Sequence, residues 1–207
     1  MSTDSRPARR PRAPRLAPEA RRALIADAAC AIAAEDGLAA ITMRAVAARA
    51  GVAPALVAHY AESGMDGLVA LAFERIVSRE LVDVAAIVAA QPAPRAAMAA
   101  MIRTLAGGER DEVTGVWVEA WALGRRNEAL ATTVRAQMDA WQRLVQDVVD
   151  AGVATGDFRV TDPALAAWQV LGMIDGTGAQ SLVRWGETGD RSALLLRAVE
   201  AVLGATT

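Results

Sequence analysis

The 207-residue chain has no lysine, one cysteine, one histidine and few aromatic residues, which make up 4% of it. A single cysteine, Cys30, excludes an intramolecular disulfide framework and a cysteine-only zinc site. A single histidine, His59, excludes a metal site built from imidazoles and any Ser-His-acid set that does not pass through it. A phosphate-cradling glycine loop and a metal-ligand cluster are also missing, so no catalytic residue, cofactor or metal is expected. Long apolar runs are absent too, because an arginine or an acid interrupts every candidate before it reaches membrane-spanning length. The basic N-terminus leads into proline and arginine rather than an apolar stretch, which points to a cytoplasmic protein with no membrane partner.

What the chain does contain is alanine, at 49 positions, and arginine, which supplies all 22 basic residues. Much of the 54% hydrophobic content is therefore the best helix former rather than bulky core. The net charge of −2 hides an asymmetry. Residues 1–60 hold nine arginines and five acids, giving +4, whereas the remainder holds thirteen and nineteen, giving −6. A basic head on an acidic body suggests nucleic-acid contact by the head, although a solvated tail gives the same sum.

The first 17 residues carry Arg6, Arg9, Arg10, Arg12 and Arg15 among prolines and form a flexible arm. From Pro18, apolar residues at Leu24, Ile25, Ala28 and Ile32 make a helical stripe that stops at Gly37. Thr42 stands where an N-cap belongs, ahead of Met43, Val46, Ala47 and Ala50, and Gly51 ends that short helix. Pro54 opens an eight-residue helix. Two short helices about a glycine-containing turn form a helix-turn-helix pattern. Beyond Gly64 only long helical stripes follow, the first reaching Pro92 and the last two running from Asp162 to Trp185 and from Glu187 to Leu203. No alternation of period two is present, so the chain reads as all-α.

The segment from Thr42 to Leu68, TMRAVAARAGVAPALVAHYAESGMDGL, resembles the DNA-binding element of the tetracycline-repressor (TetR) family of bacterial transcription regulators. Gly37, Thr42, Arg44, Val46, Ala47, Ala50, Gly51, Val52, His59, Tyr60 and Leu68 carry the likeness. Farther on, Ile174, Asp175 and Gly176, preceded by Gly156, Asp157, Phe158, Arg159 and Asp162, resemble the choline-responsive BetI-type branch. The resemblance implies an arm (1–17), a three-helix DNA-binding domain (18–65) and a helical effector-binding and dimerisation domain (66–207). It departs from the family at Ala53, Ala58, Ala61 and Gly64, where a serine, two aromatics and a base are common.

A short helix starting at Pro54 fits a major groove about 12 Å wide, with the preceding helix across the backbone. Thr42 and Arg44 are placed to meet phosphate, and Arg44 can also reach a base edge. On the recognition helix His59 and Tyr60 can hydrogen-bond, while Pro54, Ala55 and Leu56 offer only apolar contact. Direct readout is thin, so Arg9, Arg10, Arg12 and Arg15 are expected to add phosphate or minor-groove contacts.

All five tryptophans fall after residue 116. Met101, Trp117, Trp121, Met138, Trp141, Trp168 and Met173 lie on neighbouring stripes that either line an apolar pocket or fill the core. Gln169, Asp175, Thr177 and Glu119 are the polar groups available to orient a small, largely apolar ligand. The resemblance implies a homodimer paired through the last two helices, a palindromic double-stranded operator, and release by the effector. An activator on the same scaffold, and a helical ligand-binding or sequestration protein with weakened DNA contacts, remain alternatives.

Overall fold

The computed structural model describes residues 17–61, 63–108, 110–186 and 191–205. Among these residues the chain forms nine α-helices and no strand, the all-α architecture expected from its periodicity. Helix α1 (Pro18–Asp36) leads through a 3-10 turn (Leu38–Ala40) to α2 (Met43–Ala50) and α3 (Pro54–Tyr60). The long α4 (Gly64–Ala89) then connects to α5 (Pro94–Ala106), α6 (Asp111–Gly124), α7 (Glu128–Thr155), α8 (Pro163–Leu182) and α9 (Arg191–Val202).

Local chemistry sets the helix starts. Proline occupies the first turn of α1, α3, α5 and α8, where its missing N–H costs nothing. The Thr42 hydroxyl accepts the Ala45 N–H at 3.2 Å, Asn127 that of Leu130 at 2.9 Å, and Asp162 that of Leu165 at 3.0 Å. Gly51 ends α2 at φ 64°, a left-handed conformation that a side chain would oppose.

Three boundaries near the functional surfaces differ from the sequence expectation; in addition α4 ends at Ala89, short of Pro92, and the start of the last helix expected at Glu187 lies outside the described residues. The recognition helix α3 has seven residues rather than eight, because Ala61 leaves helical geometry. Helix α7 runs through Gly152 to Thr155 instead of stopping at the glycine. There the glycine serves packing: a Cβ on it would lie 2.0 Å from the Phe158 ring. Helix α8 ends at Leu182, which leaves Trp185 beyond it.

Two buried clusters hold the fold. The first joins α1–α4 through Ile25, Val46, Val57 and Phe73 to Val116 and Ala120 of α6 and to Leu130 and Val134 of α7. The second joins α5, α7, α8 and α9 through Met101, Trp141, Phe158, Val170, Leu195 and Leu203. Trp117 packs against both, so α6 lies at the seam between head and body.

Candidate functional site

The head presents one surface built by α2 and α3. Val46 and Val57 are fully buried and Ala47 nearly so, which fixes the angle between the two helices. Thr42, Arg44, Pro54, Ala55 and His59 are exposed on it, and Leu56 and Tyr60 are half-buried. The exposed Ala58 leaves the middle of α3 without a polar group. Thr42 spends its acceptor on the cap but keeps its O–H for an external partner.

Two residues that sequence reasoning passed over join this surface. Arg21 Nη1 donates to the Tyr60 hydroxyl at 3.4 Å, and the Arg22 guanidinium sits 5.7 Å from the Tyr60 ring centroid. Two adjacent arginines one turn into α1 are the signal that was available for them. Arg49, by contrast, forks onto Glu35 and braces α2 against α1. The arm residues Arg9, Arg10, Arg12 and Arg15 lie outside the described residues.

The body encloses a cavity of about 510 Å³, within the range of small-molecule sites. Six of the nine residues expected at a ligand pocket line it: Trp117, Trp121, Met138, Trp141, Trp168 and Asp175. Met138 and Trp168 are largely exposed and form its rim, while Trp141 lies in its wall at 6% exposure. Trp117 meets Phe73 edge-on at 5.0 Å and tilts against Trp121 at 5.8 Å.

The other three expected residues are elsewhere, because helical phase turns them away. Met101 is fully buried in the second cluster, and Gln169 is exposed on the outside of α8. Met173 lines a separate groove between α8 and α9, as does Thr177. Glu119 also faces away from the cavity, toward the turn that follows α1. Glu80, Arg135, Asp139 and Gln142 line the cavity without having been singled out. They sit on α4 and α7, where charged residues spaced along a helix carry no sign of which way the helix is rotated.

The cavity's polar groups are of two kinds. Glu80, 6% exposed, meets Arg110 Nη1 at 3.5 Å; desolvation still raises its carboxyl above the usual range, opposed by Arg110 and by a hydrogen bond from Trp117. Asp175 has no hydrogen-bond or ionic partner among the described residues, and burial alone pushes its carboxyl up to about 6. At pH 7.5 Asp175 is therefore an ionised group held in a mostly apolar wall, with no ionic partner of its own among the described residues. The buried indole N–H groups of Trp121 and Trp141 also lack acceptors among the described residues.

A helix-turn-helix head joined by a long helix to a helical body with a ligand-sized cavity is the architecture of a ligand-responsive transcription regulator. Residues 25–72 match the sequence pattern of the bacterial regulatory proteins of the TetR family, and residues 93–204 that of the BetI-type transcriptional repressor C-terminal domain. The chain belongs to the TetR family, with a BetI-type C-terminal domain. Its fold is shared by a Rhodococcus sp. protein described as a TetR-family transcriptional regulator, at 24% identity and a TM-score of 0.74, covering 89% of this chain and 99% of that one. A Saccharomonospora viridis protein described as a transcriptional regulator, solved in complex with choline, is 21% identical with a TM-score of 0.72, over 90% and 96% of the two chains. The multidrug binding protein EbrR, complexed with proflavin, is 22% identical with a TM-score of 0.66, over 88% and 99%. No curated protein matches the chain. Among the described residues, no helix is long and apolar enough to cross a membrane.

Proposed function

We propose that the chain is a homodimeric repressor in the cytoplasm that binds a palindromic operator and leaves it when an apolar cation fills the body cavity. The observation that carries this reading is Asp175, a half-buried carboxylate without a partner among the described residues, in a cavity walled by four tryptophans. An indole face attracts a cation, and a desolvated carboxylate rewards one far more than water-exposed acid does. Choline and proflavin, the ligands of two structural neighbours, are both cations. Residues 18–65 act as the DNA-binding domain and 66–207 as the effector and dimer domain.

On DNA, Thr42 and Arg44 meet phosphate, joined by the Arg21–Arg22–Tyr60 cluster, while Pro54, Ala55, Leu56 and His59 face the bases. Pairing uses the apolar face of α8 and α9, where Leu165, Trp168 and Leu194 are more than half exposed. Gly172 and Gly176 on α8 have open space where a Cβ would stand, so the same face carries both bulky groups and hollows, as a two-fold interface requires.

The test is a mobility-shift titration of the purified chain with DNA from upstream of its own gene, with and without proflavin or choline, beside tryptophan-quenching titrations. Retarded DNA released by a cation that also quenches the tryptophans is the expected result. Quenching without any DNA retardation would instead favour a ligand-sequestering protein, a reading that the exposed Ala55 and Ala58 on α3 support.

A further inference from the structure

We propose that Glu119 is the positioning residue through which occupancy of the body cavity reaches the helix-turn-helix. This rests on reading the cavity as an effector site. Trp117 and Trp121, four apart on α6, both line the cavity. Glu119 lies two residues from each, about 200° around the helix, and so leaves the opposite side of α6. There its Oε2 accepts the Ala39 backbone N–H at 3.2 Å, across 80 residues of sequence.

The contact is built from both sides. Gly37, at φ 86°, lies so close to the Glu119 carboxylate that a Cβ on it would overlap both oxygens. A side chain at residue 37 is thus opposed by its backbone conformation and by the carboxylate alike. The segment held here, Gly37 to Ala40, is the connection between α1 and α2. Three residues beyond Ala39 stands Thr42, the cap of α2, and Arg44 follows in the first turn. One helix therefore has a cavity wall on one side and, on the other, a grip on the turn that sets where α2 begins.

Trp117 makes α6 sensitive to what fills the cavity. It packs against both hydrophobic clusters, meets Phe73 of α4 edge-on and lies beside Glu80 of α4. A ligand seated against Trp117 and Trp121 cannot be accommodated by moving one ring alone. A shift of α6 by a few tenths of an ångström takes a 3.2 Å hydrogen bond to the edge of the distance at which it holds. Coupling between two such sites is typically worth about 5- to 150-fold in affinity and acts equally in both directions.

The test uses the full chain and proflavin as probe. Proflavin saturation, followed by tryptophan quenching, should speed hydrogen exchange at the Ala39 amide and change operator affinity by a factor within that range. In Glu119→Ala that factor should fall below about threefold while proflavin affinity and helical content are kept, and Glu119→Gln, which retains an oxygen acceptor, should restore most of it. A merely structural role would lower operator affinity in Glu119→Ala but leave the proflavin factor intact, and that outcome overturns the proposal. Unchanged Ala39 exchange in proflavin-filled protein overturns it while sparing the cavity reading. Absence of quenching removes the cavity reading, and this proposal with it.

Discussion

The recognition helix and the body cavity are built on opposite plans. Helix α3 is short, exposes alanine and proline, and offers the outside only His59 and a Tyr60 hydroxyl already engaged by Arg21. The cavity has a volume of about 510 Å³, is walled by four tryptophans, and holds a carboxylate that has no partner among the described residues. On the function proposed above, a thin reader paired with a rich pocket makes affinity for DNA depend on adding two half-sites together, whereas affinity for the effector is concentrated in a few groups.

Breaking the pairing should have the largest effect. Replacing Leu165 and Trp168 together by glutamate should give a monomer in sedimentation and weaken operator binding by about 100-fold or more, since the second half-site is lost. A dimer with unchanged affinity would remove α8 from the interface.

Next comes the cavity. Asp175→Asn should weaken proflavin binding by about 30-fold at pH 7.5, roughly the 2 kcal/mol expected of a desolvated cation–carboxylate pair. Wild-type affinity should rise with pH as Asp175 ionises around 6 and level off above it, and the variant should lose that dependence in quenching titrations. Stability moves the other way. Because burial raises this carboxyl from 3.8 to about 6, the folded form holds the proton more tightly. The group's favourable contribution is complete below pH 4 and is lost as the pH rises through 6. Asp175→Asn should therefore melt higher than wild type at pH 7.5 and no higher at pH 4.

Deleting residues 1–15 should sharpen the view of α3 as a thin reader. We expect about a tenfold loss of operator affinity and a slope of log affinity against log salt shallower by up to about 4.5, roughly 0.9 for each of the five arm arginines on a phosphate. An unchanged slope would leave all of the affinity to the helical head. The smallest effect is expected at Thr42→Ala, where a lost cap costs about 1 kcal/mol of stability and a lost phosphate donor a few-fold in affinity, with Thr42→Ser close to wild type in both.

Much of the head was legible in the sequence because its signals are local. Thr42 caps through a bond to Ala45 three residues away, Gly51 answers a left-handed backbone, and Pro54 starts a helix without help from any distant group. The tryptophans of the cavity were legible as a set, since bulk at helical spacing must be buried against something. Their division into wall and core was not. Met101 and Met138 lie on comparable stripes, yet one is fully buried and the other stands at the rim, because the answer depends on how α5 and α7 rotate against α8. Glu119 was read as a group available to the ligand, and the opposite side of α6 proved to be its place.

The amino-acid order by itself determined the all-α class, the helix-turn-helix, the long connecting helix and the separation of a basic head from an acidic body. Each follows from periodicity, capping or charge within a few turns of chain. Tertiary structure alone decided that Asp175 stands unpaired among the described residues in an aromatic cavity, that Arg21 joins Tyr60, and that Glu119 reaches Ala39. The last two require residues 39 or 80 positions apart to meet, and such meetings, like the surroundings of Asp175, are set by the packing of whole helices rather than by any local preference.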